Sequence, residues 1–154
     1  MGTTADPAPR PIQLGIIGTG LAVEKLHWPA LGRMADRFQV VAFADHSRAT
    51  AERFAAYAGA SMDDYRADYH DLLRRDDVEA VLISLPIPLN LSATRASLEA
   101  GKHVICEKPT GRDLEEGRAF LELPARYPDR KVLIAENHVR RPPVGATKGR
   151  VVWL

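Results

Sequence analysis

The feature that most constrains the fold is an uncharged, largely apolar run that passes into a turn with two glycines, within residues 12–22. Such a run is typical of a strand that is buried on both faces of a parallel sheet. Gly18 permits a tight turn, and Gly20 lets the backbone approach a pyrophosphate at the N-terminus of the following helix. The third glycine of the G-x-G-x-x-G pattern is absent, because Ala22 and Val23 stand near its position. A plain strand-to-helix turn is the alternative interpretation.

Length and charge indicate one domain of ordinary size. The chain has 154 residues, 45% hydrophobic and 27% charged, which is a globular composition. Its formal net charge of +1 gives no bias toward nucleic acid or an anionic membrane as a partner. The longest uncharged run, residues 80–94, is too short to cross a bilayer. Residues 1–11 lack the apolar segment of a signal peptide, so we expect a flexible arm there.

The single cysteine bears on the cellular compartment. Cys106 lies in an apolar segment and has no second cysteine with which to form a disulfide. This favours a reducing compartment, and we expect a soluble, cytoplasmic protein without a metal cluster.

Helix and strand signals alternate along the chain. Predicted helices cover residues 22–35, 48–58, 68–75, 91–100 and 113–123, with a kink or restart at Pro29 and an end or kink at Pro124. Predicted strands cover residues 12–17, 38–45, 78–84, 103–106 and 131–135, with a stiff loop at 86–90 and an ambiguous segment at 60–66. Strands separated by helices require right-handed crossovers. The predicted fold class is therefore α/β, a doubly wound, Rossmann-like parallel sheet over residues 12–138, followed by a proline-containing tail at 139–154.

Ligands of such a sheet bind beyond the carboxyl ends of its strands, so the residues after each strand are the candidate site. Asp45 ends the second strand, where a carboxylate can accept the ribose hydroxyls of NAD, and helix capping is its alternative role. This carboxylate would repel the 2′-phosphate of NADP, whereas Ser47 and Arg48 just beyond it could bind that phosphate, so the sequence favours NAD and leaves NADP as the alternative. The cofactor-binding candidates are Gly18, Thr19, Gly20, Leu21, Ala22, Asp45, Ser47, Arg48, Ser84, Leu85, Pro86, Asn90, Glu107, Lys108 and Asn137.

An ordered set of motifs occupies residues 15–20, 27–31, 98–104 and 106–109, the last reading Cys-Glu-Lys-Pro. This set resembles the glucose-fructose oxidoreductase, inositol dehydrogenase and rhizopine-catabolism (Gfo/Idh/MocA) family. The resemblance implies a Rossmann domain that binds NAD or NADP for hydride exchange at a carbinol carbon, usually of a sugar or cyclitol. It also implies that Lys108 lies near the nicotinamide, which makes this lysine the catalytic candidate. A solvated lysine after a strand is the alternative.

The sequence departs from the family pattern in two places. The loop after the fourth strand often carries Asn and His in the family, whereas Ile87 and Asn90 stand at those positions here. Family members also continue into an antiparallel substrate domain that supplies a histidine and an aspartate for acid-base catalysis, and we expect that domain to be missing here. No spacing marks a replacement base among the histidines, which we expect to be structural or solvated: His27, His46, His70, His103 and His138.

Whether the chain is an enzyme therefore stays open at this point. Three interpretations are open. The chain is either half of an oxidoreductase that another chain completes, or a nucleotide-binding regulatory module without chemistry, or a truncated remnant of a dehydrogenase. The segment from Gly149 to Leu154 resembles the first strand of the missing sheet. Its apolar, strand-prone composition predicts a homo-oligomer or a complex with a partner chain.

Overall fold

The computed structural model describes residues 10–135. Its strands are β1 Ile12–Ile17, β2 Phe38–Ala44, β3 Tyr65–Arg66, β4 Ala80–Ile83, β5 His103–Glu107 and β6 Val132–Ala135. All neighbouring pairs are parallel, in the order β3-β2-β1-β4-β5-β6. The direction of winding reverses between β1 and β4, which confirms the predicted doubly wound, Rossmann-like sheet.

Helical segments connect the strands on both faces of the sheet. A π-helical turn, Val23–His27, runs directly into α1, Trp28–Gly32. The remaining α-helices are α2 Arg48–Ala58, α3 Tyr69–Leu73, α4 Ile87–Glu99 and α5 Leu114–Arg126, and a 3₁₀ turn occupies Met62–Asp64. Within residues 10–135 the helices are all too short or too polar to span a bilayer.

The side chains that cap the helices follow the sequence signals closely. The Ser47 hydroxyl accepts the N–H of Thr50 at 3.3 Å, and Gly59 ends α2 with a φ of +66°. Asp113 accepts the N–H of Glu116 at 2.9 Å and so begins α5. Asp113 and Glu116 have the spacing of a capping box, but its reciprocal half is shifted by one residue, because the Glu116 carboxylate accepts the N–H of Arg112 at 2.8 Å.

Three predicted boundaries are wrong, each around a proline. The stiff loop at 86–90 is instead the start of α4, since the missing N–H of Pro88 would have no acceptor in a first helical turn. Helix α5 continues through Pro124 to Arg126, because a proline in the last turn removes only one hydrogen bond. The first helical segment ends at Gly32, three residues before the predicted end at residue 35. The helix restarts near Pro29, as predicted.

Both faces of the sheet are buried by apolar side chains. On one face, Ile83 and Cys106 pack in a cluster that includes Phe120 of α5. On the other face, Phe43 meets Phe54 of α2 edge-on at a centroid separation of 5.4 Å. Burial raises the pKa of the Cys106 thiol to about 11, so this cysteine is a protonated core residue at neutral pH.

Most of the predicted arm and the whole of the predicted tail lie outside the described residues. Arg10, which the sequence assigns to the arm, forms two hydrogen bonds of 2.7 Å with the carboxylate of Glu79. The arm is therefore attached to the domain at least from this residue onward.

Candidate functional site

The two glycines after β1 meet different requirements. Gly18 has a φ of +85°, and a Cβ there would lie 2.2 Å from the carbonyl oxygen of Ser84. Gly18 is thus required by the packing of β1 against the end of β4. A Cβ on Gly20 would meet no protein atom within 4 Å. Packing does not require Gly20 to be glycine, and the space in front of it suits the close approach of a ligand.

Asp45 holds this turn against the end of β2. Its Oδ2 accepts the backbone N–H of Thr19 at 2.9 Å and the Thr19 hydroxyl at 3.0 Å, while its Oδ1 accepts the N–H of Ser47 at 2.9 Å. Asp45 is 9% exposed and Thr19 is fully buried. Each carboxylate oxygen can accept about two hydrogen bonds, so Oδ1 keeps room for one further donor.

Ser47 and Arg48 follow Asp45 and differ in how far they are engaged. The Ser47 hydroxyl caps α2 and is occupied by Thr50. The Arg48 side chain is 69% exposed, donates from Nε to Glu52 at 2.8 Å, and places its guanidinium carbon 6.0 Å from the centroid of the Tyr65 ring. Of these two residues, Arg48 is the one free to turn toward a ligand phosphate.

A cavity of about 750 Å³ opens beside the turn, over the sheet face that carries Leu82 and Ile105. It brings together predicted site residues from three separate segments: Ala22, Ser84, Leu85, Glu107 and Lys108. Gly18, Gly20 and Asp45 do not line it, and the exposed side chain of Leu21 lies outside it as well. The cavity and the glycine turn are neighbouring regions of one sheet edge and meet at Ala22 and Ser84.

His27 is a site residue that the sequence did not identify. Its Nε2 lies 2.6 Å from Oε1 of Glu107, and the two side chains are each 17% exposed. His27 and Glu107 both line the cavity. Of the two roles expected for the histidines, structural or solvated, the solvated one is therefore wrong for His27. Eighty residues separate the pair, and only the fold brings them together.

Asn90 lies beneath the Glu-Lys-Pro segment. It is 1% exposed, and its Nδ2 donates to the carbonyl of Pro109 at 2.9 Å and to that of Glu107 at 3.4 Å. Its Oδ1 has no hydrogen-bond partner among the described residues. Asn90 thus holds the backbone on both sides of Lys108, whose own side chain is exposed.

The last two predicted site residues are Asn137 and Pro86. Asn137 lies outside the described residues. Pro86 is the N-cap of α4 and begins the segment that follows β4. Across residues 10–135, His, Cys, Asp and Glu side chains form no group of three that could hold a metal ion.

A doubly wound sheet with a glycine turn at its switch point defines a dinucleotide-binding domain of the Rossmann type. Residues 12–134 match the family GFO_IDH_MocA, described as an oxidoreductase family with an NAD-binding Rossmann fold. The chain belongs to this family, which confirms the resemblance and the cofactor class inferred from its motifs.

Three relatives illustrate the family. An inositol 2-dehydrogenase of Klebsiella pneumoniae is 33% identical over 111 residues, 72% of this chain and 32% of that protein. A 3-ketoreductase of Actinomadura kijaniata, solved with NADP and TDP-benzene, has a TM-score of 0.71 at 31% identity over 82% of this chain and 37% of the other. A scyllo-inositol dehydrogenase of Lactobacillus casei, solved with NAD(H) and scyllo-inositol, has a TM-score of 0.71 at 25% identity over 82% and 36%.

The chain spans about a third of the length of these three relatives. The matched part is their NAD-binding domain. The remaining two thirds of each relative has no counterpart in this match, so the similarity covers only the cofactor-binding part of those proteins.

Proposed function

We propose that this chain is the NAD(P)-binding half of an oxidoreductase that transfers hydride at a hydroxyl carbon of a sugar or cyclitol. Hydride transfer would also require a substrate domain. The observation that carries this proposal is the open space at Gly20, next to a cavity whose wall includes Lys108. Relatives solved with NADP and with NAD(H) plus scyllo-inositol support the chemistry.

The residues of the turn fit a dinucleotide in distinct roles. Backbone N–H groups beyond Gly18 and Gly20 would face the pyrophosphate, since the first turn of a helix leaves its N–H groups without intrahelical acceptors. Asp45 would accept one ribose hydroxyl at Oδ1, because its Oδ2 is committed to Thr19. Arg48 is the residue available for a 2′-phosphate. A carboxylate next to that phosphate is repulsive, so we propose NAD as the preferred cofactor.

Lys108 would hold or donate a proton at its Nζ near the reacting hydroxyl. The bound cofactor supplies the hydride acceptor, and the protein supplies orientation and proton transfer. Lys25, His27 and Glu107 share the cavity wall with Lys108. His27 and Glu107 bind each other, which leaves the amines of Lys25 and Lys108 as the lysine groups on this wall, and Lys108 is the one that belongs to the Glu-Lys-Pro motif.

A nucleotide-binding module without chemistry is the second candidate. The observation that favours it is the segment after β4, where Asn90 is buried under the Glu-Lys-Pro backbone and Ile87 is a 40% exposed apolar residue. Neither offers a polar contact to a substrate. A cytoplasmic location fits both candidates, because the chain has a single cysteine and the proposed ligand is a cytoplasmic metabolite.

Self-association through residues 149–154, or pairing of this segment with a substrate domain, is part of the proposal. Its support is composition, since Val151, Val152, Trp153 and Leu154 form an apolar, strand-prone stretch.

Calorimetric titration with NAD(H) and NADP(H) tests the proposed function. We expect saturable binding of both, with NAD(H) bound more tightly. A chain that binds neither dinucleotide is not the cofactor half of an oxidoreductase, and that result would overturn both candidates.

A further inference from the structure

The π-helical turn Val23–His27 places a histidine at the carboxyl end of a distant strand. π-Helical turns are rare and are frequent at functional sites. Here the turn delivers His27 to Glu107, with 2.6 Å between Nε2 and Oε1. Both side chains are 17% exposed, so each polar group depends on the other for much of its hydrogen bonding.

The same carboxylate also holds the backbone of the next residue. Oε2 of Glu107 accepts the N–H of Lys108 at 2.9 Å, while Oε1 binds His27. One carboxylate therefore connects a helical residue to the main chain from which the Lys108 side chain extends. Asn90 fixes the carbonyls on either side of Lys108, so this backbone is held by two independent contacts.

We propose that His27 is a positioning residue for Lys108 and acts through the Glu107 carboxylate. Its role in the reaction rests on the proposed function, in which the Lys108 amine handles the proton. By engaging Oε1, His27 keeps the carboxylate turned away from the Lys108 amine. Without His27 the freed carboxylate can pair with that amine and hold it as an unreactive ammonium.

Other charged groups on the cavity wall do not replace this contact. Lys25 and Arg33 line the cavity with His27, Glu107 and Lys108. Glu107 is the acidic residue in this lining, so it is the group whose release from His27 would change the surroundings of the amine. Removal of His27 should therefore lower the reactivity of the Lys108 amine and of no other lysine. A general loosening of the fold would instead raise the reactivity of several lysines.

The test measures acylation of each lysine by acetic anhydride at a fixed pH, using peptide mass spectrometry on the full chain. His27→Leu should slow acylation of Lys108 by about two- to five-fold, the range expected for an exposed ion pair. Lys131, which does not line the cavity, serves as the internal reference and should not change. A merely structural role would leave Lys108 unchanged or make several lysines more reactive, and either result would overturn the proposal.

Two further variants show whether the effect passes through Glu107. Glu107→Gln keeps an acceptor for the Lys108 N–H and removes the charge, so His27→Leu in that background should have no effect on Lys108. An undiminished effect would overturn the route through Glu107. His70→Leu is a matched control, because it removes a histidine 2.8 Å from Asp68 that does not line the cavity.

Two further outcomes are a His27 variant that does not fold and a chain that does not bind NAD(H). If His27→Leu does not fold by circular dichroism, His27→Phe, which keeps a ring and has no donor for Oε1 of Glu107, must slow acylation of Lys108 to the same extent, and an unchanged rate would overturn the proposal. Dinucleotide binding is measured on the same samples. If the unmodified chain does not bind NAD(H), the proposed function is refuted. If it binds NAD(H) but the acylation rate of Lys108 is the same in the His27 variant, only the role of His27 is refuted.

Discussion

Thr19 donates both its backbone N–H and its hydroxyl to one carboxylate oxygen of Asp45, at 2.9 and 3.0 Å. The contact joins the turn after β1 to the end of β2, and both residues are buried. It shows that the acidic residue after the second strand has a structural role in the glycine turn. Any role toward a ribose is left to its other oxygen, Oδ1.

The two roles of Asp45 can be separated by mutation. Asp45→Ala should weaken NAD more than NADP, because it removes an acceptor for a ribose hydroxyl and also a charge that repels the 2′-phosphate. Loss of one hydrogen bond to a charged group costs about 1.5–3 kcal/mol, roughly 10- to 100-fold in Kd. Thr19→Val is the control, since it loosens the turn and leaves the carboxylate in place. Calorimetry that finds equal weakening of both dinucleotides by Asp45→Ala would restrict Asp45 to supporting the turn.

The space at Gly20 predicts a variant that folds but does not bind. Gly20→Val should leave the melting temperature nearly unchanged, because the new side chain meets no protein atom within 4 Å of its Cβ. It should abolish NAD(H) binding by filling the place of the pyrophosphate. Gly117→Val in α5 is matched, since a Cβ there also meets nothing within 4 Å. Saturable binding by the Gly20 variant would show that the pyrophosphate lies elsewhere.

Local signals in the sequence predict the fold well. The apolar runs without charge mark strands buried on two faces. Ser47 and Asp113 begin helices as side-chain N-caps, and Gly59 ends a helix through its left-handed backbone. Each of these signals depends on neighbours within a few residues. The alternation of helices and strands, with right-handed crossovers, predicts a parallel sheet with helices on both faces, whereas the strand order β3-β2-β1-β4-β5-β6 comes from the structure.

The inner arrangement of the site could not be predicted in the same way. His27 meets Glu107 across 80 residues, and no spacing in the sequence encodes that contact. Asn90 was expected beside the cofactor, yet it is buried under the backbone at Lys108, because α4 begins at Ile87 and carries it inward. The predicted loop at Pro88 and the predicted helix end at Pro124 were wrong, since both prolines lie in terminal helical turns that tolerate a missing N–H.

The contact between Arg10 and Glu79 predicts an acid-sensitive contribution to stability. Hydrogen bonds from Arg10, and then from the N–H of Gln13, lower the pKa of Glu79 from its ordinary 4.5 to about 2. A depressed carboxyl pKa stabilises the fold above the unfolded-state pKa, and the contribution is lost as the pH falls from about 4.5 to about 2. Glu79→Gln should therefore lower the melting temperature modestly at pH 7, as expected for an exposed pair, and the difference should disappear near pH 2. A difference that persists in acid would contradict this origin.

The segment at residues 149–154 predicts concentration-dependent association. Val151, Val152, Trp153 and Leu154 are apolar and strand-prone, and exposed segments of this kind recruit another chain. Light scattering over a concentration series should show a larger mass for the full chain than for a version that ends at Lys148. If both are monomeric with equal thermal stability, the segment provides no contact between chains.

Turnover by the chain alone tests whether Lys108 needs a further group for the hydroxyl proton. The chain alone should oxidise sugars and cyclitols slowly or not at all, because Lys108 has no positioned partner for the hydroxyl proton within residues 10–135 except a His27 that is bound to Glu107. General acid-base catalysis contributes about 10²- to 10⁴-fold, and loss of substrate positioning adds to that deficit. NAD(P)H absorbance across a panel of polyols measures it, with Lys108→Met as the variant that must abolish any residual rate. Robust turnover by the chain alone that survives Lys108→Met would require another base, and His27 released from Glu107 is the first residue to test for that role.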